Sequence, residues 1–267
     1  MLSGLSPARR RVVLGLVALG VGAAVAGGAA VLVGDGPGAD RLVTGERPGP
    51  VLLVPGYGGD TAGLEQLAGQ LERDGRDAAV VPLPGDGTGD LNGSADALDE
   101  AVTAALARTG AATVDVVGFS AGGLVARLWV SGADDDRVRR VVTLGSPHHG
   151  TDLAAIAGSV LPSQCPVACR QMDPGGDLLA QLNAGDETPD EASWVSLWTT
   201  QDRTVTPPES ARLDGALNIP VQSVCADAVV GHGQLPVDPL VQRIVVAELG
   251  AGDVVELGPD DCARLRG

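Results

Sequence analysis

The clearest pattern along the chain is a series of short apolar runs, each followed by a segment whose apolar positions have helical spacing. The first run, Val51–Val54, is apolar at every position, which is typical of a strand buried on both faces of a sheet. In the segment that follows, Ala62–Arg73, leucines recur every three or four residues, which predicts an amphipathic helix. This alternation predicts an α/β fold with a mostly parallel central sheet and helices on both faces.

The same alternation continues toward the C-terminus. Further strands are predicted over 78–81, 114–117, 138–144, 195–198 and 216–224, and further helices over 95–108 (with Ser94 as its cap), 122–130, 178–183 and 235–249. Between them, Leu161–Pro189 is otherwise irregular. That region is interpreted either as a small flap over a site or as surface decoration.

One strand-to-helix junction carries a chemical signal. The strand over 114–117 runs into Gly118-Phe119-Ser120-Ala121-Gly122, and a helical segment follows directly. This is the sequence form of a nucleophile elbow, in which a serine sits on a sharp, strained turn and its neighbours must be small. The first amides of such a helix point at the space in front of the serine hydroxyl. Ser120 is therefore the candidate nucleophile.

A serine nucleophile needs a base, and the chain has three histidines. Enzymes that carry this elbow on an α/β sheet have a triad in the chain order Ser, acid, His. His232 fits that order, whereas His148 and His149 come too early. The histidine pair is interpreted as loop packing or as the lining of a substrate groove, with His148 as the tentative pocket residue.

The acid should follow a strand between the serine and the histidine. Asp202 meets this condition, and Asp227, which is close to His232 in sequence, is its rival. The oxyanion hole needs two backbone N–H groups, for which we predict Tyr57, in the glycine loop after the first strand, and Ala121. Tyr57 and Phe119 are the only Tyr and Phe of the chain, and aromatics confined to this site suit a pocket for an apolar ligand.

Composition limits the partners. The 267 residues suit one α/β domain, and aromatic residues make up only 2% of them, so the core must be aliphatic. With 18 basic and 34 acidic residues the formal charge is 18 − 34 = −16, and every basic residue other than histidine is arginine. Such a surface argues against nucleic acid and against electrostatic docking on anionic lipid.

The N-terminus indicates export. Arg9, Arg10 and Arg11 precede an uncharged stretch from Val12 to Gly34. We predict that residues 1–34 are a cleaved signal peptide or an anchor in the cytoplasmic membrane formed by 12–34, that 35–49 is a linker, and that 50–267 is the catalytic domain. A core helix is the less favoured reading. The protein is then secreted or extracytoplasmic.

Four cysteines fit an exported chain. Cys165 and Cys169 lie four residues apart, while Cys225 and Cys262 lie far from them and from each other. Three pairings exist; Cys165–Cys169 with Cys225–Cys262 is favoured, because the second bridge would hold the C-terminal tail. A zinc site is the alternative, and its ligand spacing is poor.

Four stretches together resemble the small bacterial lipases and esterases of the α/β-hydrolase superfamily, most nearly the lipase class 2 type. They are Val54–Gly59, the elbow Gly118–Gly123, Thr143–Thr151, and Asp202 with Ala211–Ala216 leading to His232. The resemblance extends from Pro50 to about Leu249. In one departure, Pro55 stands where relatives often have a histidine, and we expect altered packing of that loop.

The resemblance implies an α/β-hydrolase fold with a small or absent lid. It also implies ester hydrolysis through Ser120, Asp202 and His232, with no cofactor and no metal. The expected partner is an ester or lipid substrate, with membrane association only through the N-terminal segment, and we expect a monomer. An acyltransferase, thioesterase or polyester hydrolase would use the same triad. A non-catalytic cell-envelope binding protein is the alternative outside enzymology.

Overall fold

A six-stranded parallel sheet is the centre of the structure, a computed structural model that describes residues 48–132, 136–190 and 192–267. Its strands are β1 (Val51–Val54), β2 (Ala78–Val80), β3 (Val114–Phe119), β4 (Val138–Leu144), β5 (Ser193–Trp198) and β6 (Leu217–Pro220). They lie in the order β2-β1-β3-β4-β5-β6, and every neighbouring pair is parallel. The predicted fold class is confirmed.

The strand order creates a crevice at one edge of the sheet. From β1 the chain moves outward to β2, then returns to the other side of β1 to form β3, from which β4, β5 and β6 are added in sequence. The loops after β1 and β3 therefore leave the sheet in opposite directions. Ligands of open α/β sheets bind at the carboxyl ends of strands at such a switch point.

Helices cover both faces of the sheet. They are α1 (Ala62–Arg73), α2 (Leu91–Thr109), α3 (Ala121–Gly132), α4 (Asp152–Val160), α5 (Val167–Gln171), α6 (Asp177–Leu182), α7 (Val221–Val224), α8 (Pro239–Glu248) and α9 (Cys262–Arg266). Short 3₁₀ turns lie at Pro162–Gln164, Pro208–Ala211, His232–Gln234 and Pro259–Asp261.

Two largely aliphatic cores lie on the two faces of the sheet, and the second also contains Trp129 and Trp194. In β1, Val51 and Leu53 pack into the core with α1 and α8, while Leu52 and Val54 pack into the core with α2 and α3. This alternation is the reason that β1 is apolar throughout. The region Leu161–Pro189 joins the second core through residues such as Leu179, so it is packed against the helices of that face.

Several predicted boundaries are wrong. Helix α2 begins at Leu91, before Ser94, because the Asp90 side chain accepts from the Asn92 N–H and caps the helix. The predicted strand over 216–224 ends at Pro220, where α7 begins. The predicted helix over 235–249 begins at Pro239, because Asp238 caps it, and it is followed by α9.

Both predicted disulfides are formed. Cys165 is bonded to Cys169 and Cys225 to Cys262, so no cysteine of the chain is free. The alternative of a zinc site held by these cysteines is therefore excluded. The second bridge joins the chain just after α7 to the first residue of α9.

The predicted leader, residues 1–34, lies outside the described residues, as does all but the end of the predicted linker. Within the described ranges, no helix has both the length and the apolar composition that a membrane crossing requires. Those ranges also hold no group of three or more His, Cys, Asp or Glu side chains arranged to bind a metal ion.

Candidate active site

Ser120 sits on a strained turn at the carboxyl end of β3. Its φ is +54°, and it is the only non-glycine residue with positive φ in the part of the chain that the structure describes. A backbone hydrogen bond holds the turn against β4, since the Ser120 N–H donates to the Leu144 carbonyl at 2.9 Å. A Cβ on Gly122 would lie 2.2 Å from the Val54 carbonyl oxygen, so only glycine fits there. This is the backbone of a nucleophile elbow.

The loops after β5 and β6 bring two predicted partners to this serine. The Nε2 atom of His232 lies 3.0 Å from the Ser120 Oγ, and its Nδ1 lies 2.7 Å from the Asp202 Oδ2. A carboxylate only accepts, so Nδ1 carries the ring proton and Nε2 is left free to accept from the serine hydroxyl. The three side chains thus form one continuous hydrogen-bonded chain.

The carboxylate of Asp202 is held in place by backbone amides that the sequence interpretation missed. The N–H groups of Thr204 and Val205 donate to Oδ1 at 2.8 and 2.9 Å, which leaves Oδ2 for the histidine. An aspartate followed by such a turn is an Asx motif, and that signal was available in the sequence. Asp202 is 6% exposed, so these bonds form largely out of water.

The rival acid lies elsewhere. Asp227 forms an ion pair with Arg266 at 2.8 Å, and its side chain is 75% exposed. Asp202 and His232 can come within hydrogen-bond distance because the residue directly after β4 is a glycine, Gly145. A Cβ there would lie 3.2 Å from His232 Nδ1 and 3.3 Å from Asp202 Oδ2, and its φ is +56°. A side chain at this position would crowd the hydrogen bond and strain the backbone.

The two amides predicted for the oxyanion hole flank the nucleophile. Ala121 directly follows Ser120 and is the first residue of α3. Tyr57 follows Gly56, whose backbone lies so close to the nucleophile that an added Cβ would be 3.0 Å from the Ser120 Cβ. Among the described residues, neither amide donates to a backbone carbonyl in a turn or loop. Their role as the oxyanion hole stays a prediction.

The two tentative pocket residues have different positions. The ring of Phe119 lies against His232, with centroids 5.1 Å apart, so it borders the site. His148 is fully buried and its Nε2 lies 3.0 Å from the Thr143 Oγ1. A fully enclosed side chain offers no surface to a substrate, so the expectation that His148 lines the pocket is wrong, and loop packing is its role.

Burial also sets the charge of His148. Burial lowers the pKa of this imidazole well below its ordinary value, and the charges of Arg127 and His149 act in the same direction. The residue is therefore neutral at physiological pH. Its partially exposed neighbour, His149, pairs instead with Glu187 at 2.9 Å.

Arg127 connects α3 to the segment that follows α6. Its guanidinium is buried and donates to the Asn183 side chain and to the carbonyls of Leu182 and Glu187, at 2.8, 3.0 and 3.2 Å. Burial lowers its pKa to about 10, which leaves it charged at neutral pH. The sequence offered no sign of this contact, because its acceptors are chiefly backbone groups.

An apolar surface stands beside the site. Helix α4 starts next to the Asp202 loop, since the Asp152 N–H donates to the Thr206 carbonyl at 2.8 Å. The helix has one buried residue, and its large apolar side chains face outward: Leu153, Ile156 and Val160 are 48%, 56% and 67% exposed. We call these three residues the α4 patch.

Known proteins share this architecture. The sequence profile of the alpha/beta hydrolase fold matches residues 49–164, and the sheet order and elbow agree with it. The protein has the α/β-hydrolase fold. A triacylglycerol lipase of Vibrio cholerae serotype O1 is 34% identical to this α/β-hydrolase-fold protein over 119 residues, which are 43% of this chain and 37% of that lipase. The protein is thus a distant homologue of triacylglycerol lipases, matching a little over a third of that relative's length.

Solved structures agree on the fold. Lipase B of Aspergillus fumigatus superposes on this hydrolase fold with a TM-score of 0.62 at 21% identity, covering 82% of this chain and 60% of that chain. Mature lipase BlEst2 of Bacillus licheniformis gives 0.54 at 22% identity, covering 65% of this chain and 84% of that chain. At such identities the likeness speaks to the fold alone.

Proposed function

We propose that the protein is a serine carboxylic-ester hydrolase that acts on acyl esters through an acyl-enzyme intermediate. The observation that carries the proposal is the hydrogen-bonded chain from Ser120 through His232 to Asp202, which begins at a serine with φ of +54°. That chain has the order and the contacts that activate a serine for attack on a carbonyl.

The proposed acylation step uses each of these groups. His232 accepts the hydroxyl proton through Nε2 as Ser120 Oγ attacks the ester carbonyl carbon. Asp202 stabilises the imidazolium that forms, and the Tyr57 and Ala121 amides donate to the oxyanion. Collapse of the tetrahedral intermediate expels the alcohol, which takes the proton from His232, and leaves an acyl ester on Ser120.

Deacylation repeats the route with water. His232 accepts a proton from the water that attacks the acyl carbonyl, and then returns a proton to Ser120 as the carboxylic acid leaves. Neither reaction step requires a redox partner, since both are acyl transfers.

We propose apolar acyl groups as the substrate class. The ring of Phe119, which borders His232, supports this, as does the α4 patch on a helix that starts at the loop after Asp202. The triacylglycerol lipase that matches the chain in sequence points the same way.

We also propose that the enzyme works outside the cytoplasm. The basic and apolar N-terminal sequence supports export. The two disulfides are consistent with an oxidising compartment.

A panel of p-nitrophenyl esters from acetyl to long acyl chains tests the proposal. The full chain should hydrolyse members of the panel. Ser120→Ala should reduce kcat to the low residual rate that the oxyanion-hole amides support without the nucleophile. The thermal unfolding temperature of this variant should equal that of the parent. Appreciable turnover by a folded Ser120→Ala variant, or no turnover of any ester by the parent, would rule out the assignment.

A further inference from the structure

A polar cleft opens on the side of the triad where His232 lies. It has a volume of about 640 Å³ and is bounded by the loop after β5 and the loop that contains the histidine. Its lining includes Asp202, Arg203, Thr204 and His232. The cleft is therefore continuous with two members of the triad.

Mechanism determines which part of a substrate this cleft would receive. In the proposed reaction, His232 gives its proton to the departing alcohol oxygen, so that oxygen must come within hydrogen-bond reach of Nε2. The acyl carbonyl oxygen points instead toward the amides of Tyr57 and Ala121. The alcohol portion of the ester must accordingly pass His232, which is one of the residues that line the cleft.

Arg203 is the residue of the cleft lining whose charged side chain has no partner among the described residues. Asp202, the carboxylate of the lining, already accepts from the N–H groups of Thr204 and Val205 and from His232. Arg203 is exposed and, within the described residues, makes no side-chain hydrogen bond and no ion pair. Its guanidinium is therefore available to an external anion, although the chain, with formal charge −16, supplies many carboxylates.

We propose that Arg203 selects esters whose alcohol portion carries an anionic group, a carboxylate or a phosphate. The inference rests on the proposed esterase function, since it assigns the alcohol side of that reaction to the cleft. A guanidinium recognises such groups by paired N–H donors as well as by charge. In the field of an acidic protein, one local cation also offsets the repulsion that an anionic substrate would otherwise meet.

The test compares two aryl esters that carry the acyl chain which the parent hydrolyses best in the p-nitrophenyl panel and that differ in one substituent on the leaving phenol, a carboxylate in one and a neutral carboxamide in the other. The ratio of their kcat/KM values is measured for the full chain, for Arg203→Gln and for Arg212→Gln. Arg212 is a matched control, because it is also exposed and also unpaired within the described residues. We expect Arg203→Gln to lower the ratio of the kcat/KM values of the anionic and the neutral ester by up to about fivefold, mainly through KM of the anionic ester, as for an exposed ion pair. Arg212→Gln should leave it unchanged.

Salt gives a second readout. Raising the ionic strength should lower the ratio of the parent and leave that of Arg203→Gln nearly constant. An unchanged ratio in Arg203→Gln overturns the inference, as does an equal fall in Arg212→Gln, which would indicate net charge alone. An equal loss on both esters would mean that Arg203 acts on the triad. If neither ester is hydrolysed by the parent, the proposed function itself fails.

Discussion

The sharpest consequence of the site concerns the substitution Asp202→Asn. The carboxylate has two committed oxygens: Oδ1 accepts the N–H groups of Thr204 and Val205, and Oδ2 accepts from His232. An asparagine has one oxygen and one NH₂ to serve the same positions. If its oxygen faces the two backbone amides, the NH₂ faces His232 Nδ1 and forces the ring proton onto Nε2, where it blocks the serine.

The alternative orientation is also costly. Turning the asparagine oxygen toward His232 places the NH₂ against two N–H donors, and so removes two hydrogen bonds to a buried group. Each buried N–H left without an acceptor costs about 1–3 kcal/mol, so the active orientation is disfavoured by about 2–6 kcal/mol. This corresponds to a fall in kcat of about thirtyfold to twenty-thousandfold.

The assay is p-nitrophenyl ester hydrolysis under saturating substrate, with circular dichroism to establish that the variant is folded. Asp227→Asn is the matched control, because Asp227 has a surface partner in Arg266 and lies outside the triad. Full-rate hydrolysis by a folded Asp202→Asn variant, or an equal loss in Asp227→Asn, would refute the reasoning.

Three further outcomes are expected. The free energy of unfolding should fall as pH drops below about 6.5, by up to about 1.4 kcal/mol per pH unit, because His148 binds a proton in the unfolded chain but stays neutral when folded. Urea titrations at pH 5 and pH 7 measure this difference, and the free energy of unfolding of His148→Gln should depend less on pH than that of the parent. Replacing Cys225 and Cys262 with serine should destabilise the fold by about 3–4 kcal/mol, since the bridge closes a long loop, and thermal or urea unfolding measures this. Ile156→Gln should reduce hydrolysis of a long-chain triglyceride emulsion more than that of a dissolved acetate, whereas Val255→Gln, also at an exposed apolar position, should not.

Local signals in the sequence predict the elbow and its partners well. Ser120 could be identified because its turn demands small neighbours, and His232 because the triad order left one histidine in the right place. The helix over Ala62–Arg73 follows its leucine spacing and is predicted to the residue. The elbow and the helix have physical causes contained within a few neighbouring residues, whereas His232 was identified by its position in the chain order.

Features that depend on distant contacts were not predicted. Helix α2 starts at Leu91 in part because the Gln171 side chain accepts from the Leu91 N–H, across 80 residues of sequence. Helix α4 was missed because its apolar residues face outward, which is the reverse of the usual amphipathic pattern. The burial of His148 likewise depends on packing that its loop sequence does not reveal.

The central claim is that Ser120 is an activated nucleophile, and covalent labelling tests it most directly. The full chain is treated with a fluorophosphonate, and its intact mass and peptide map are measured. We expect one adduct per chain, on Ser120, and strongly slowed labelling in Asp202→Asn. An unlabelled folded protein, or an adduct on any other residue, would contradict it.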